Sequence, residues 1–141
     1  MTMYIKTQEV NSKTSDPVII VNPYQEKNMR ENRYGGTMRL GGHDVDILKD
    51  TQASKIFGNK ASIRQRFRHR YEVNPHYVDL LEKNGLVFSG YYERFDKTRL
   101  MEYIELPGHP YFIGTQAHPE MKSRLGNPSP LFYGFVKACR K

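Results

Sequence analysis

Apolar and polar positions along this chain alternate in several short runs and reach helical spacing in only two, which predicts a mixed α/β domain rather than a helical bundle. Pro17-Val18-Ile19-Ile20-Val21 is a β-branched run bounded by Asp16 and by Asn22-Pro23, the pattern of a buried strand followed by a turn. The polar residues 24–34 read as a loop. In Gly35-Gly36-Thr37-Met38-Arg39-Leu40-Gly41-Gly42, paired glycines bracket an alternating segment, so a short strand between tight turns is expected. The alternation over residues 66–73 places Arg66, Arg68 and Arg70 on one face of a strand and Phe67, His69, Tyr71 and Val73 on the other.

Asn74-Pro75 has the composition of a helix start, with Asn74 as the cap, Pro75 in the first turn, and Val78, Leu80, Leu81 and Leu86 as apolar contacts. Residues 86–90, 100–106 and 111–116 read as three successive strands, the last two joined by a hairpin turn at Pro107-Gly108-His109-Pro110. Ser129-Pro130 then opens a C-terminal helix whose Leu131, Phe132, Phe135, Val136 and Cys139 fall on one stripe.

With 141 residues, 38% hydrophobic and 26% charged, the chain suits one soluble domain, and no apolar run is long enough to cross a membrane. The N-terminus lacks the pattern of a secretory signal, and the single cysteine cannot form an internal disulfide, so a cytoplasmic setting is expected. The net charge of +7 raises the question of nucleic acid. The cations are scattered, apart from the arginine run at 64–70 and Lys137, Arg140 and Lys141 at the C-terminus, where they complement a helix dipole. A solvated or anion-facing strand is the preferred reading of the arginine run, and no nucleic-acid partner is expected.

The candidate chemistry centres on Gln116-Ala117-His118-Pro119-Glu120. Proline keeps the residue before it out of the helical region, so His118 should be extended and Glu120 can reach back to it. A carboxylate in that place fixes the imidazole tautomer and stabilises its protonated form. The nucleophile such a pair would serve is the difficulty. Cys139 lies near the end of the predicted last helix, where the dipole and the apolar stripe favour a packed, inert thiol. There is no Gly-x-Ser-x-Gly elbow, and one cysteine cannot supply a zinc-deaminase ligand set. His43, His69, His76 and His109 show no ligand spacing with carboxylates, so no metal site is expected.

Four motifs in order, Gly35-Gly36-Thr37-Met38-Arg39-Leu40-Gly41, Arg68-His69-Arg70-Tyr71-Glu72-Val73-Asn74, Gly85-Leu86-Val87-Phe88-Ser89-Gly90 and Gln116-Ala117-His118-Pro119-Glu120-Met121-Lys122-Ser123-Arg124, together with the closing Pro128-Ser129-Pro130-Leu131-Phe132, resemble the class I glutamine amidotransferases, and among them the glutaminase domains of CTP synthases. The resemblance implies a partial flavodoxin-like α/β fold, a mixed sheet with flanking helices. Residues 1–10 would be a lead-in, and 11–141 a partial domain lacking the family's N-terminal strands and nucleophile elbow.

In roles, the resemblance makes His118 and Glu120 the catalytic base and its orienting acid, with Arg70 and Tyr71 binding glutamine. Thr37 and Arg39 match a segment tied to activation by GTP. The family's acidic contact to the substrate amino group falls on Thr14. Glutamine and GTP are the implied ligands, and a synthetase domain or a complementary glutaminase fragment the implied partner. No cofactor is expected in this chain; ATP and magnesium belong to the synthetase domain, which aminates UTP to CTP. Two readings stay open: the C-terminal portion of such a glutaminase, inactive without the thiol, or a non-catalytic binding or regulatory module. An apolar sheet edge without its neighbours is expected to drive self-association.

Overall fold

A computed structural model describes residues 6–22 and 39–140. Five strands form one sheet in the order β3-β2-β5-β6-β7, from β2 (Arg39–Ile47), β3 (Ser62–His69), β5 (Val87–Glu93), β6 (Arg99–Glu105) and β7 (Ile113–Thr115). β1 (Ile19–Val21) and β4 (Tyr71–Val73) make a separate two-stranded sheet. All these ladders are antiparallel, and a parallel bridge joins Thr7 to Ile19. Among the described residues the helices are α1 (Gln52–Ile56), α2 (Pro75–Lys83) and α3 (Pro130–Cys139), with a 3-10 turn at Pro119–Lys122.

The two edges of the larger sheet meet. The chain leaving β7 returns to β3, where Ala117 bridges Phe67 and the His118 N–H donates to the Arg66 carbonyl at 2.8 Å. Register shifts around Gly90 in the β5–β6 ladder provide the bend this closure needs, because a bulge increases local twist. Inside lie Val45, Ile47, Ala53, Phe57, Ile63, Phe67, Tyr103, Ala117 and Leu131. Tyr103 is 1% exposed and meets the Phe57 ring edge-on at 5.7 Å; burial pushes its phenol up to about 12.

The elements expected from alternation are present, with differences that have physical causes. Gly41 and Gly42 are not a turn but lie within β2, opposite Phe67 and Arg66. Gly41 has φ +94, which only glycine adopts cheaply, and a Cβ on Gly42 would come within 3.0 Å of the Arg64 guanidinium. The run 66–73 is not one strand: it breaks at Arg70 and changes sheets, so Glu72 is buried while Tyr71 and Val73 are half-exposed. β1 is half-buried rather than buried. In α2, Asn74 caps as expected by accepting from the His76 N–H at 3.1 Å, but Leu80 is exposed.

The C-terminal helix departs most. Leu131 alone is buried, whereas Phe132, Phe135, Val136 and Cys139 face outward. Ser129 precedes it without a side-chain cap; its own N–H donates to Ser123 Oγ at 3.0 Å. α1 had no periodic signature because five residues are too few for one. Its start is held by Thr51 and by buried Glu105, whose two oxygens accept from the Gln52 and Ala53 N–H groups at 2.8 and 3.0 Å.

Gly90 is a packing requirement of the bend. A Cβ there would lie 2.8 Å from Tyr103 Cδ2 and 3.1 Å from Ile47 Cδ1, so Gly90→Ala must displace the central aromatic. The expected cost is about 1–3 kcal/mol in urea unfolding, and an unchanged midpoint would show that the core gives way freely.

Candidate active site

Strand closure places the His-Pro-Glu segment. Ala117 and His118 run antiparallel to β3, the Gln116 N–H donates to the Glu102 carbonyl at 3.0 Å, and Gln116 Nε2 donates to the Tyr71 carbonyl at 3.3 Å. The stretch before the imidazole is thus tied to β3, β4 and β6. His118 has φ −102° and ψ 83°, outside the helical region as Pro119 demands, and Pro119 then opens the 3-10 turn. That turn brings Glu120 back, so that His118 Nδ1 and Glu120 Oε1 are 2.6 Å apart.

The imidazole is a third exposed and the carboxylate more than half, so the pair faces an open surface. The hydrogen bond to His118 holds the Glu120 carboxyl below the usual carboxylate range. Nδ1–H donated to a carboxylate leaves Nε2 as the working nitrogen, and Nε2 has no hydrogen bond among the described residues. This is the arrangement of a base with its orienting acid.

Arg70 and Tyr71 stand at the point where the chain leaves β3 for β4. The Arg70 carbonyl accepts from the Asn22 N–H at 3.0 Å, and Tyr71 is coupled through Gln116 to the segment that carries His118. Arg39 goes elsewhere. Its guanidinium is buried, paired with Glu102, and lies between the Phe67 and Tyr92 rings at 4.5 and 4.7 Å from their centroids. Burial pushes it below its ordinary value, and the Glu72 carboxylate acts against that. Thr37, with the start of its glycine-bracketed segment and the polar stretch 24–34, lies outside the described residues. Cys139 is exposed at the end of α3 rather than packed, and no contact among the described residues joins it to His118.

Two buried pairs went unrecognised in the sequence. His69 Nε2 and Glu72 Oε1 are 2.8 Å apart across the break at Arg70, and Asn22 Nδ2 donates to the same oxygen at 3.3 Å. His69 therefore does meet a carboxylate, but among the described residues no group of three or more candidate ligands gathers to hold a metal. The other pair is Arg39 with Glu102. A signal existed for it: Glu102 shares a strand face with Leu100, where a solvated acid does not belong.

A family model for class-I glutamine amidotransferases matches residues 7–138. The chain belongs to the class-I glutamine amidotransferases. Among its relatives are CTP synthases of Methanoregula boonei, 54% identical over 87% of this chain, and of Saccharolobus solfataricus, 48% identical over 92%. The chain spans only 22% and 23% of those two proteins, respectively. The amidotransferase fold is also that of a solved structure, the glutaminase domain of Trypanosoma brucei CTP synthase with bound acivicin, at a TM-score of 0.81 and 31% identity. That match covers 94% of this chain and 49% of the other. No described helix of this amidotransferase chain is long and apolar enough to cross a membrane.

Two measurements test this electrostatic arrangement. Because the Glu120 carboxyl is depressed in the folded state, its contribution to stability is present above the ordinary carboxylate range and is lost as pH falls through the folded value. Carbon-detected NMR should place its midpoint below that of a free glutamate and move it upward in His118→Ala; equal midpoints would refute the contact. Separately, Glu102→Gln should cost about 3 kcal/mol or more in urea unfolding by leaving the Arg39 charge buried without its partner. The double change Arg39→Met with Glu102→Leu should recover most of that loss.

Proposed function

We propose that this chain carries the base and orienting-acid half of a glutaminase that supplies ammonia to a CTP synthase. The observation behind this reading is the His118–Glu120 pair at 2.6 Å, on a segment tied to the Arg70-Tyr71 corner, in a chain similar to CTP synthases over most of its length. Glutamine hydrolysis by this family's chemistry needs a thiolate to attack the side-chain amide and form a thioester while ammonia departs, after which water cleaves the thioester to glutamate and returns the thiol. Nε2 of His118 would take the thiol proton and deliver it to the leaving nitrogen, with Glu120 stabilising the imidazolium between the two steps. Arg70 would read the α-carboxylate of glutamine, since a planar guanidinium pairs with carboxylate in a bidentate way, and Tyr71 would line the same site.

The thiol is the missing member of this set. Cys139 is the only cysteine of the chain, and its exposed place at the C-terminal end of α3 gives it neither the imidazole nor a helix N-terminus to activate it. A second segment must bring the nucleophile to Nε2 for the reaction to run, and a synthetase domain would use the ammonia, with ATP and magnesium acting there. Exposed Phe132, Phe135 and Val136 on α3 suit packing against such a partner, or self-association without it. A cytoplasmic setting follows from this role. GTP activation through Thr37 and Arg39 belongs to the same proposal. The inward-turned guanidinium of Arg39 suits an effect on how β2 is held more than a direct contact to nucleotide.

The unserved imidazole also favours a second reading, a binding or regulatory module that keeps the amidotransferase fold without turnover. Both readings expect the purified chain to release glutamate from glutamine no faster than a His118→Ala variant. Robust release abolished by that substitution would overturn the claim of inactivity. Adding a segment that carries a cysteine elbow separates the two: His118-dependent release supports the glutaminase half, and its absence from a folded complex supports the module.

A further inference from the structure

The exposed face of β3 and the segment after the 3-10 turn enclose a cleft of about 560 Å³. Its walls carry Arg64, Arg66, Lys122 and Arg124, with Asn127 and the side-chain-free Gly42 among the other lining residues. None of its lining residues is acidic. Asp44 neutralises Arg64 at the rim, at 3.3 Å, and Arg64 also donates to the Gly42 carbonyl at 2.8 Å. Lys122 Nζ donates to the Arg64 carbonyl, which fixes that ammonium over the cleft. The guanidinium groups of Arg66 and Arg124 have no hydrogen-bond or ion-pair partner among the described residues.

Like charges gathered around a concave surface repel one another, and a concave wall of low dielectric strengthens their field on anything that enters. The fold does not need them there for packing, because all four cations are exposed. The wall is also preformed. Arg124 and Asn127 exchange backbone hydrogen bonds at 3.1 and 3.0 Å around Gly126, whose φ of +77° closes the turn. A shaped site of this volume, with two guanidinium forks, an ammonium and an amide directed at it, matches a chain of phosphates better than a single carboxylate.

We propose that this cleft binds an oligophosphate group, the chemistry shared by free polyphosphate and by nucleoside di- and triphosphates. Arg66 and Arg124 grip the phosphate oxygens, and Lys122 and Asn127 supply further donors. None of these side chains belongs to the glutaminase roles assigned above, so the site stands or falls separately from glutamine chemistry.

Calorimetric titration of the full chain with tripolyphosphate, ATP and adenosine tests the assignment. Tripolyphosphate and ATP should bind with an affinity that falls as salt rises, and adenosine should not. ATP binding no tighter than tripolyphosphate would identify the phosphate chain as the whole ligand, and ATP tighter by tenfold or more would identify a nucleotide. Arg66→Gln and Arg124→Gln should each weaken binding by about tenfold, as expected for loss of a charge-assisted contact. Lys55→Ala and Lys137→Ala, cations outside the cleft, should leave it within about twofold. Should either glutamine variant lose its circular dichroism, Arg66→Lys and Arg124→Lys replace it, keeping charge but losing the fork, with a smaller loss expected. Equal binding by the cleft variants and the parent, or equal weakening by Lys137→Ala, would overturn the site in favour of diffuse attraction to a basic protein.

Discussion

The buried ion pair between Arg39 and Glu102 is the constraint around which the sheet is arranged. Arg39 opens β2, Glu102 sits in β6, and the rings flanking the guanidinium come from Phe67 on β3 and Tyr92 on β5. Four strands meet at one planar cation. A charge removed from water tolerates few alternatives, since a slip of β2 by one residue would turn the guanidinium to the opposite face and leave the carboxylate alone. The pair therefore selects a register more than it adds stability. An apolar substitute of similar volume would hold the strands together but would not distinguish that register so sharply.

From that register the position of His118 follows. Phe67 stacks on Arg39 and bridges Ala117, and its neighbour Arg66 supplies the carbonyl that holds the His118 N–H. The imidazole is placed by backbone contacts to a strand whose own place is set from inside the sheet. Local sequence does the rest: Pro119 excludes a helical His118, and the short turn after it returns the Glu120 carboxylate to Nδ1. The positioning is hierarchical, with the buried cation setting the strand, the strand setting the backbone, and the proline setting the side chains.

This hierarchy explains what could be read from the sequence. The His-Pro-Glu geometry, the Asn74 cap and the hairpin linking β6 to β7 depend on neighbours within a few residues, and each was visible as a motif. Placement that depended on distant partners was not. The break at Arg70 arises because Tyr71 to Val73 pair with β1 instead of β2, which no alternation within 66–73 reveals. The outward face of α3 failed for a related reason. An apolar stripe shows what a helix can bury, and only the surrounding surfaces decide what it does bury. Glu72 and Glu102 are buried acids whose partners, His69 and Arg39, lie three residues away across a break in one case and on a distant strand in the other.

β3 gives two kinds of specificity from one stretch of backbone, because a strand presents its peptide groups sideways and its side chains up and down. At Arg66 the carbonyl points along the sheet to hold the His-Pro-Glu segment, while the side chain faces the basic cleft outside. The two functions share geometry without sharing atoms. The segment after His118 repeats the economy: Glu120 turns back to the imidazole, and Lys122 and Arg124, two and four residues later, line the cleft. Charge at Arg66 or Arg124 can therefore change with little effect on His118, whereas any change that moves the backbone of β3 must move both.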